Sequence, residues 1–146
     1  MKKIILILLT LWFQTALVNA QQWETDFETA KEIALNENKV ILLVFQGSDW
    51  CAPCIKMDKE IWSKDEFIAH AKVNYVMLKA DFPRRKKNAL SERQTKSNVK
   101  LAETYNKYGY FPFVVIIDHK GDVLGEASYK KTTVSSYISI LDAFIK

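Results

Sequence analysis

The sequence predicts an α/β fold with a central mixed sheet of four to five strands and helices on both faces of that sheet. A short, partly β-branched apolar run at residues 40–45 is typical of a strand buried on both faces, and helical spacing follows it. Residues 74–82 have the character of a second inner strand. Two further strand-like runs, 113–118 and 123–129, flank a tight turn and predict a hairpin. A last helical pattern follows them, so strands and helices alternate along the chain.

The first half of the chain provides three helical segments around the first strand. Thr25 and Glu28 have the spacing of a capping box and predict a helix that ends near residue 35. Its apolar side comprises Phe27, Ala30, Ile33 and Ala34. After the first strand, turn-forming residues lead into a helix that runs to about residue 62, and a helical turn or two follows at 65–71.

The second half begins with a basic loop, residues 83–88, which contains Arg84, Arg85, Lys86 and Lys87. Charge runs usually stay in water, so we expect a solvated loop, with docking of an acidic partner as the alternative. Ser91 with Gln94 then predicts a capped helix through about residue 108. After the hairpin, residues 132–146 predict a closing helix with five inward side chains: Val134, Tyr137, Ile138, Leu141 and Ile145.

Both cysteines of the chain lie in one tetrapeptide, Cys51-Ala52-Pro53-Cys54, between the buried strand and the helix that follows it. Two thiols at this spacing can close a small disulfide ring at the start of a helix, and exchange with another protein's sulfur can reopen it. Pro53 fits the first helical turn, where its missing N–H costs nothing. Redox chemistry through a Cys51–Cys54 disulfide, without a further cofactor, is the favoured interpretation.

Two other interpretations of the cysteine pair are weaker. A zinc site needs four ligands, and the remaining candidates, His70 and His119, lie far apart in the sequence. We therefore expect no metal and place both histidines at the surface. A purely structural disulfide would close only a tiny loop, and the stabilisation that loop closure provides grows with loop length.

The position of each cysteine on the helix predicts its role. Cys51 should lie exposed at the helix N-terminus, where the helix dipole and backbone N–H groups favour the thiolate. Cys54 lies one turn further in, where burial against the sheet would keep it protonated. We expect Cys51 to be the nucleophile that attacks a substrate disulfide and Cys54 to be the resolving thiol that releases the product.

The motif Trp50-Cys51-Ala52-Pro53-Cys54 on a strand-to-helix turn resembles that of the thioredoxin-like family. With its flanks it is similar to the secreted thioredoxin-like domains of bacteria and to the C-terminal domain of the periplasmic thiol:disulfide interchange protein. The resemblance extends from about residue 26 to the end and implies a thioredoxin-like fold. It also implies that Trp50 packs over the active site and that the neighbouring Ala52 and Pro53 tune the dithiol.

A second landmark of this family is a cis-proline before a core strand, in the loop opposite the cysteines. Phe111-Pro112 stands directly before the apolar run 113–117 and fits this position, since X-Pro bonds are those in which cis costs little. The resemblance implies that Phe111, Pro112 and Trp50 contact an extended substrate segment, with Tyr110 as an adjoining candidate. An ordinary trans proline that opens the strand is the alternative.

The chain departs from the family pattern at three positions. Phe45 stands where thioredoxins place a buried aspartate, and Met77 stands where a neighbouring strand carries a lysine. The usual proton acceptor for the resolving cysteine is therefore missing, and water or the departing thiolate would take its place. Lys59 occupies the position of a mid-helix proline.

Residues 1–20 have the three-part layout of a secretory signal peptide: a basic start, an apolar run over 4–13 and small residues at 18–20. The apolar run falls short of the about 20 residues that span a bilayer, so we expect cleavage, with a retained anchor as the alternative. Residues 21–146 would then form a single domain in the periplasm.

Once Lys2 and Lys3 are removed, 19 basic residues face 17 acidic ones, so the net charge falls from +4 to +2. So small an imbalance predicts neither a nucleic-acid partner nor stable membrane insertion, and we expect a monomer. The sequence thus predicts an exported thiol–disulfide oxidoreductase, more a reductase than an oxidant, with protein substrates and an upstream electron donor or acceptor. Two alternatives stay open: a non-catalytic chaperone or partner-binding module, and a dedicated reductase in cytochrome c maturation.

Overall fold

The structure, a computed structural model, describes residues 20–145. The predicted signal peptide therefore lies outside the described residues, apart from Ala20. The helices are α1 (Phe27–Glu37), α2 (Ala52–Met57), α3 (Asp65–Asn74), α4 (Glu92–Tyr105) and α5 (Val134–Asp142), and the strands are β1 (Val40–Gln46), β2 (Tyr75–Asp81), β3 (Phe113–Ile117) and β4 (Val123–Ser128). A π-helical segment, Asp58–Trp62, continues α2 directly. Within residues 20–145, the helices are too short or too polar for any of them to span a bilayer.

The four strands form one mixed sheet in the order β2-β1-β3-β4. β1 pairs in parallel with β2, from Val40 opposite Tyr75 to Gln46 opposite Asp81, and it pairs antiparallel with β3. β3 and β4 form the predicted hairpin. Parallel neighbours need a crossover connection, and here α2, the π-helical segment and α3 provide it. At the outer edge of β2, Glu24 adds an isolated parallel bridge to Leu78.

Alternate residues of β1 face two separate hydrophobic layers. Leu42 and Val44 pack in the layer under α2, α3 and α5, whereas Ile41, Leu43 and Phe45 pack in the layer under α1 and α4. Because helices cover both faces of the sheet, β1 is a continuous apolar run rather than an alternating one. The predicted fold class, a mixed sheet with helices on both faces, is confirmed with four strands.

Several helix boundaries differ from the predicted ones. Asp26, rather than Thr25, caps α1, because its carboxylate accepts the N–H of Thr29 at 2.8 Å. α4 has the predicted Ser91 cap but ends at Tyr105, earlier than expected. α5 ends at Asp142, and Ile145 beyond it is 38% exposed instead of inward.

Candidate active site

The two cysteines form a disulfide at the carboxyl end of β1. Cys51 is the N-cap of α2 and Cys54 lies in its first turn, with their Cα atoms 5.2 Å apart. The carbonyl of Gly47 closes the preceding turn, because it accepts the N–H groups of Trp50 at 3.3 Å and of Cys51 at 2.9 Å. Pro53 lies in the first helical turn, as predicted. The predicted strand-to-helix placement of the motif is confirmed.

Both cysteines are buried in this disulfide state. Only 4% of Cys51 and 3% of Cys54 is exposed, so the prediction of an exposed Cys51 is wrong. The disulfide turns the Cys51 sulfur back over the first helical turn, where the N–H of Cys54 donates to it at 3.3 Å. This N–H lies at the positive end of the helix dipole, so it favours the thiolate of Cys51 over the thiol once the disulfide is reduced.

Trp50 links the cysteine motif to two other loops. Its indole Nε1–H donates to the carbonyl of Phe82 at 2.7 Å, and its ring packs edge-on against Phe111 with centroids 5.5 Å apart. The guanidinium carbon of Arg84 lies 3.6 Å from the centre of the indole, a cation–π contact. Gly47 leaves room for this ring, because a Cβ at that position would lie 2.3 Å from the indole. Trp50 is therefore held in one place beside the disulfide.

The loop before β3 carries a cis peptide bond at Phe111-Pro112, so the predicted isomer is confirmed. Buried Asn106 fixes the approach to it: its side chain accepts the N–H of Tyr110 and donates to the carbonyl of Tyr110, both at 2.9 Å. The rings of Tyr108 and Tyr110 stack on each other at the surface, and the two residues are 84% and 57% exposed. The loop thus presents two exposed aromatic rings next to Phe111.

Asp49 holds the basic loop against the cysteine motif. Its carboxylate accepts the backbone N–H groups of Arg84 at 2.9 Å and Arg85 at 3.0 Å, and a side-chain N–H of Asn88 at 2.9 Å. The hydrogen bond from the Arg84 N–H is the main cause that lowers the pKa of Asp49 to about 2. Asp49 therefore stays ionised at neutral pH and ties residues 83–88 to the motif.

The chain is similar to known proteins in both sequence and fold. Residues 22–119 match a family model described as thioredoxin-like. The chain belongs to the thioredoxin-like family. Within it, the disulfide bond reductase DsbH of Chlamydia pneumoniae is 36% identical over 125 residues, which cover 86% of this chain and 73% of that protein.

Further comparisons of structure and sequence agree with this family. A solved structure of a DsbH oxidoreductase superimposes with a TM-score of 0.79 at 34% identity and covers 90% of both chains. The thioredoxin-related protein DsbJ of Chlamydia pneumoniae is 26% identical over 98 residues, 67% of this chain but 27% of that protein. A thioredoxin from Thermus thermophilus, with a TM-score of 0.64 and 14% identity over 86% of this chain and 88% of that chain, shares the fold. With its Cys51–Cys54 pair, this thioredoxin-like protein is a thiol–disulfide oxidoreductase.

This thioredoxin-like protein carries apolar side chains at the two positions where the family pattern has buried polar ones. Phe45 is 0% exposed and stacks on Phe113 with centroids 6.4 Å apart. Met77 is 3% exposed and lies on the opposite face of the sheet. Glu60 accepts the hydroxyl hydrogen bond of Tyr129 at 2.6 Å, which raises the pKa of Tyr129. Neither Phe45 nor Met77 can accept a proton.

The histidines differ from each other in environment. His70 is half-buried rather than at the surface, because its Nε2 lies 3.2 Å from both the hydroxyl of Tyr75 and a carboxylate oxygen of Asp142. Burial and the bond to Asp142 raise the pKa of Tyr75. His119 lies in the hairpin turn. Among residues 20–145, no three side chains of His, Cys, Asp or Glu are placed to hold a metal ion together.

Sequence reasoning misses Asp49 and Asn106. Asp49 is a residue type that is common in turns, and its partners lie 35 to 39 positions away. No local pattern therefore signals its role. Asn106 has only a weak local signal, because the predicted helix runs past it to about residue 108, whereas the structure ends α4 at Tyr105 and leaves Asn106 free to bond to nearby backbone, as asparagine commonly does.

Proposed function

We propose that the protein reduces disulfide bonds of protein substrates outside the cytoplasm. The observation that carries the proposal is the Cys51–Cys54 pair at the start of α2, joined through Trp50 to the cis Phe111-Pro112 loop. The relative that is 36% identical is a disulfide bond reductase, which supports reduction over oxidation. The signal-peptide layout of residues 1–20 supports export to the periplasm.

The reaction starts from the reduced pair. The thiolate of Cys51 attacks one sulfur of the substrate disulfide, so that a mixed disulfide forms and the other substrate sulfur leaves as a thiolate. The thiol of Cys54 loses its proton to that thiolate or to water and attacks Sγ of Cys51. This step forms the Cys51–Cys54 disulfide and releases the second substrate sulfur. Two electrons have then passed to the substrate, and an upstream dithiol donor must reduce the pair again.

The substrate segment next to its cysteine would lie along the cis-proline loop. Strand addition at Phe111 would hold the segment through backbone hydrogen bonds, and Trp50, Pro112 and Tyr110 would contact its side chains. Asn106 already fixes the backbone of Tyr110, so this part of the loop loses little conformational freedom on binding.

An insulin-reduction assay with dithiothreitol tests the activity. Wild-type protein should accelerate the precipitation of the insulin B chain, whereas Cys51→Ser should match the rate of dithiothreitol alone, because it removes the attacking sulfur. Equal turbidity rates for the two proteins would support a non-catalytic partner-binding module instead.

The reduction potential of the Cys51–Cys54 pair tests the direction. A value near the roughly −270 mV of thioredoxin supports a reductase, whereas a value near −120 mV, as in a strong oxidant, contradicts it. Cys54→Ala should trap the mixed disulfide on Cys51 and so identify natural partners by mass spectrometry.

A further inference from the structure

The basic loop, residues 83–88, concentrates charge that the dithiol reaction does not use. Arg84, Arg85, Lys86 and Lys87 are exposed, and in the described part of the chain none of their head groups forms a salt bridge. Residues 21–146 have a net charge of only +2, so four consecutive cations are a local concentration rather than part of a generally basic surface.

The loop is presented in a fixed position. Asp49 binds it through the backbone N–H groups of Arg84 and Arg85, at 2.9 and 3.0 Å, and through the side chain of Asn88. Because backbone donors satisfy the carboxylate, the guanidinium groups remain available to a partner. A loop that is already ordered pays less conformational entropy when it binds.

Arg84 contacts Trp50, the residue that directly precedes Cys51. Its guanidinium carbon is 3.6 Å from the centre of the Trp50 indole, and the same indole packs edge-on against Phe111. Arg84 and Phe111 of the cis-proline loop therefore both contact the side chain of Trp50, which precedes Cys51. A substrate segment that lies along Phe111 would bring the side chains that flank its cysteine next to Arg84.

The nearby carboxylates offset only part of the charge of the loop. Asp49 is bonded as described, and Asp81 accepts the N–H of Ser48 at 2.9 Å and its hydroxyl at 2.6 Å. Four cations thus accompany two carboxylates, and both carboxylates bond to neutral donors rather than to the guanidinium or ammonium groups of the loop. The loop together with these two carboxylates therefore has an excess of positive charge.

We infer that the basic loop selects protein substrates in which acidic side chains flank the reactive cysteine, with Arg84 as a specificity-determining residue. The inference rests on the proposed function, since it concerns the substrates of the Cys51–Cys54 reaction. A substrate carboxylate would form a charge-assisted hydrogen bond with the guanidinium group, and the positive potential would raise the rate of encounter. Exposed pairs contribute modestly, so we expect a preference of roughly three- to tenfold.

Two synthetic peptides measure this preference. Each contains a single cysteine joined by a disulfide to thionitrobenzoate, and glutamates flank the cysteine in one peptide while glutamines flank it in the other. Attack by Cys51 on the peptide sulfur releases coloured thionitrobenzoate and leaves the peptide on Cys51; Cys54 then displaces the peptide thiol and closes the disulfide. Single-turnover rates of the reduced protein at low ionic strength give the ratio of acidic to neutral peptide.

Matched variants assign the preference to the loop. Arg84→Ser with Arg85→Ser should bring the ratio close to one, whereas Lys72→Ser with Lys120→Ser removes the same charge from two exposed lysines elsewhere and should leave it unchanged. In the wild type, 0.5 M salt should also reduce the ratio, because the pairs are exposed. Circular dichroism establishes that both variants are folded.

The outcomes separate the inference from the function on which it rests. A wild-type ratio of one, or a ratio that survives in the Arg84 and Arg85 variant, overturns the inference while reduction of both peptides leaves the proposed function intact. Equal slowing of both peptides in that variant would mean that the loop acts on the Cys51 thiolate instead, which also overturns it. Wild-type rates no higher than those of Cys51→Ser contradict the proposed function itself.

Discussion

Gly47→Ala is expected to destabilise the oxidised protein by displacing Trp50. A Cβ at residue 47 would lie 2.3, 2.4 and 2.6 Å from three atoms of the indole, far inside van der Waals contact. The indole cannot move without loss of its hydrogen bond to Phe82 and its packing on Phe111 and Arg84. The backbone of Gly47 does not have a positive φ, so the expected cost is steric and not conformational.

The magnitude follows from three contributions. Overpacking costs about 1–3 kcal/mol, and loss of the indole hydrogen bond costs about 1 kcal/mol. The alanine restricts the unfolded chain, which offsets about 0.4–1 kcal/mol. The net loss in the free energy of unfolding is therefore about 2 kcal/mol, measurable as a lower urea midpoint with an unchanged slope.

A double-mutant cycle with Trp50→Ala isolates the cause. If the clash with Trp50 is responsible, Gly47→Ala in the Trp50→Ala background should cost nothing or stabilise slightly. A loss of about 2 kcal/mol that persists in that background, or a loss below about 0.5 kcal/mol in the wild type, would refute the steric explanation.

Three further predictions concern the site. In the reduced protein at pH 7, iodoacetamide should alkylate Cys51 about tenfold faster than Cys54, because the Cys54 N–H stabilises the Cys51 thiolate; equal rates by mass spectrometry would contradict this. Asn106→Ala should lower the free energy of unfolding by about 1–3 kcal/mol, since both backbone groups of Tyr110 lose their partner, and a loss near zero in urea would show that water replaces it. Asp49→Asn should be less stable than the wild type at neutral pH. Because folding lowers the pKa of Asp49 from 3.8 to about 2, this gap should close as the pH falls from about 4 to about 2, and a gap independent of pH in urea titrations would disprove the assignment.

Local sequence predicts the elements that depend on local physics. The apolar run of β1, the turn after it and Pro53 at the start of α2 are specified by residues adjacent in the chain, so the position of the cysteine pair could be foreseen. The α1 cap shows the limit of such patterns, because Thr25 with Glu28 and Asp26 with Thr29 both have capping spacing. The structure selects Asp26, one position later than predicted.

Features that depend on long-range contacts could not be predicted. Cys51 is buried at a motif whose Trp50 bonds to Phe82 and packs against Phe111 in distant loops, and the spacing of the cysteines does not reveal these contacts. The basic loop has the composition of a solvated segment, and its exposure agrees with that prediction, yet Asp49 anchors it from 35 positions away. Its position beside Trp50 arises only from the folded chain.

The apolar pair on the sheet, Phe45 and Met77, has a consequence for how long each substrate would stay covalently attached to the protein. A benzene ring and a thioether offer no internal base at these positions, so Cys54 would give its proton to water or to a substrate thiolate before it attacks. Acidic thiols are better leaving groups, so substrates that carry them would be released quickly. Substrates with less acidic thiols would remain attached as long-lived covalent adducts. The turnover rate would then depend on the acidity of the substrate's cysteines as well as on the fit of its surface.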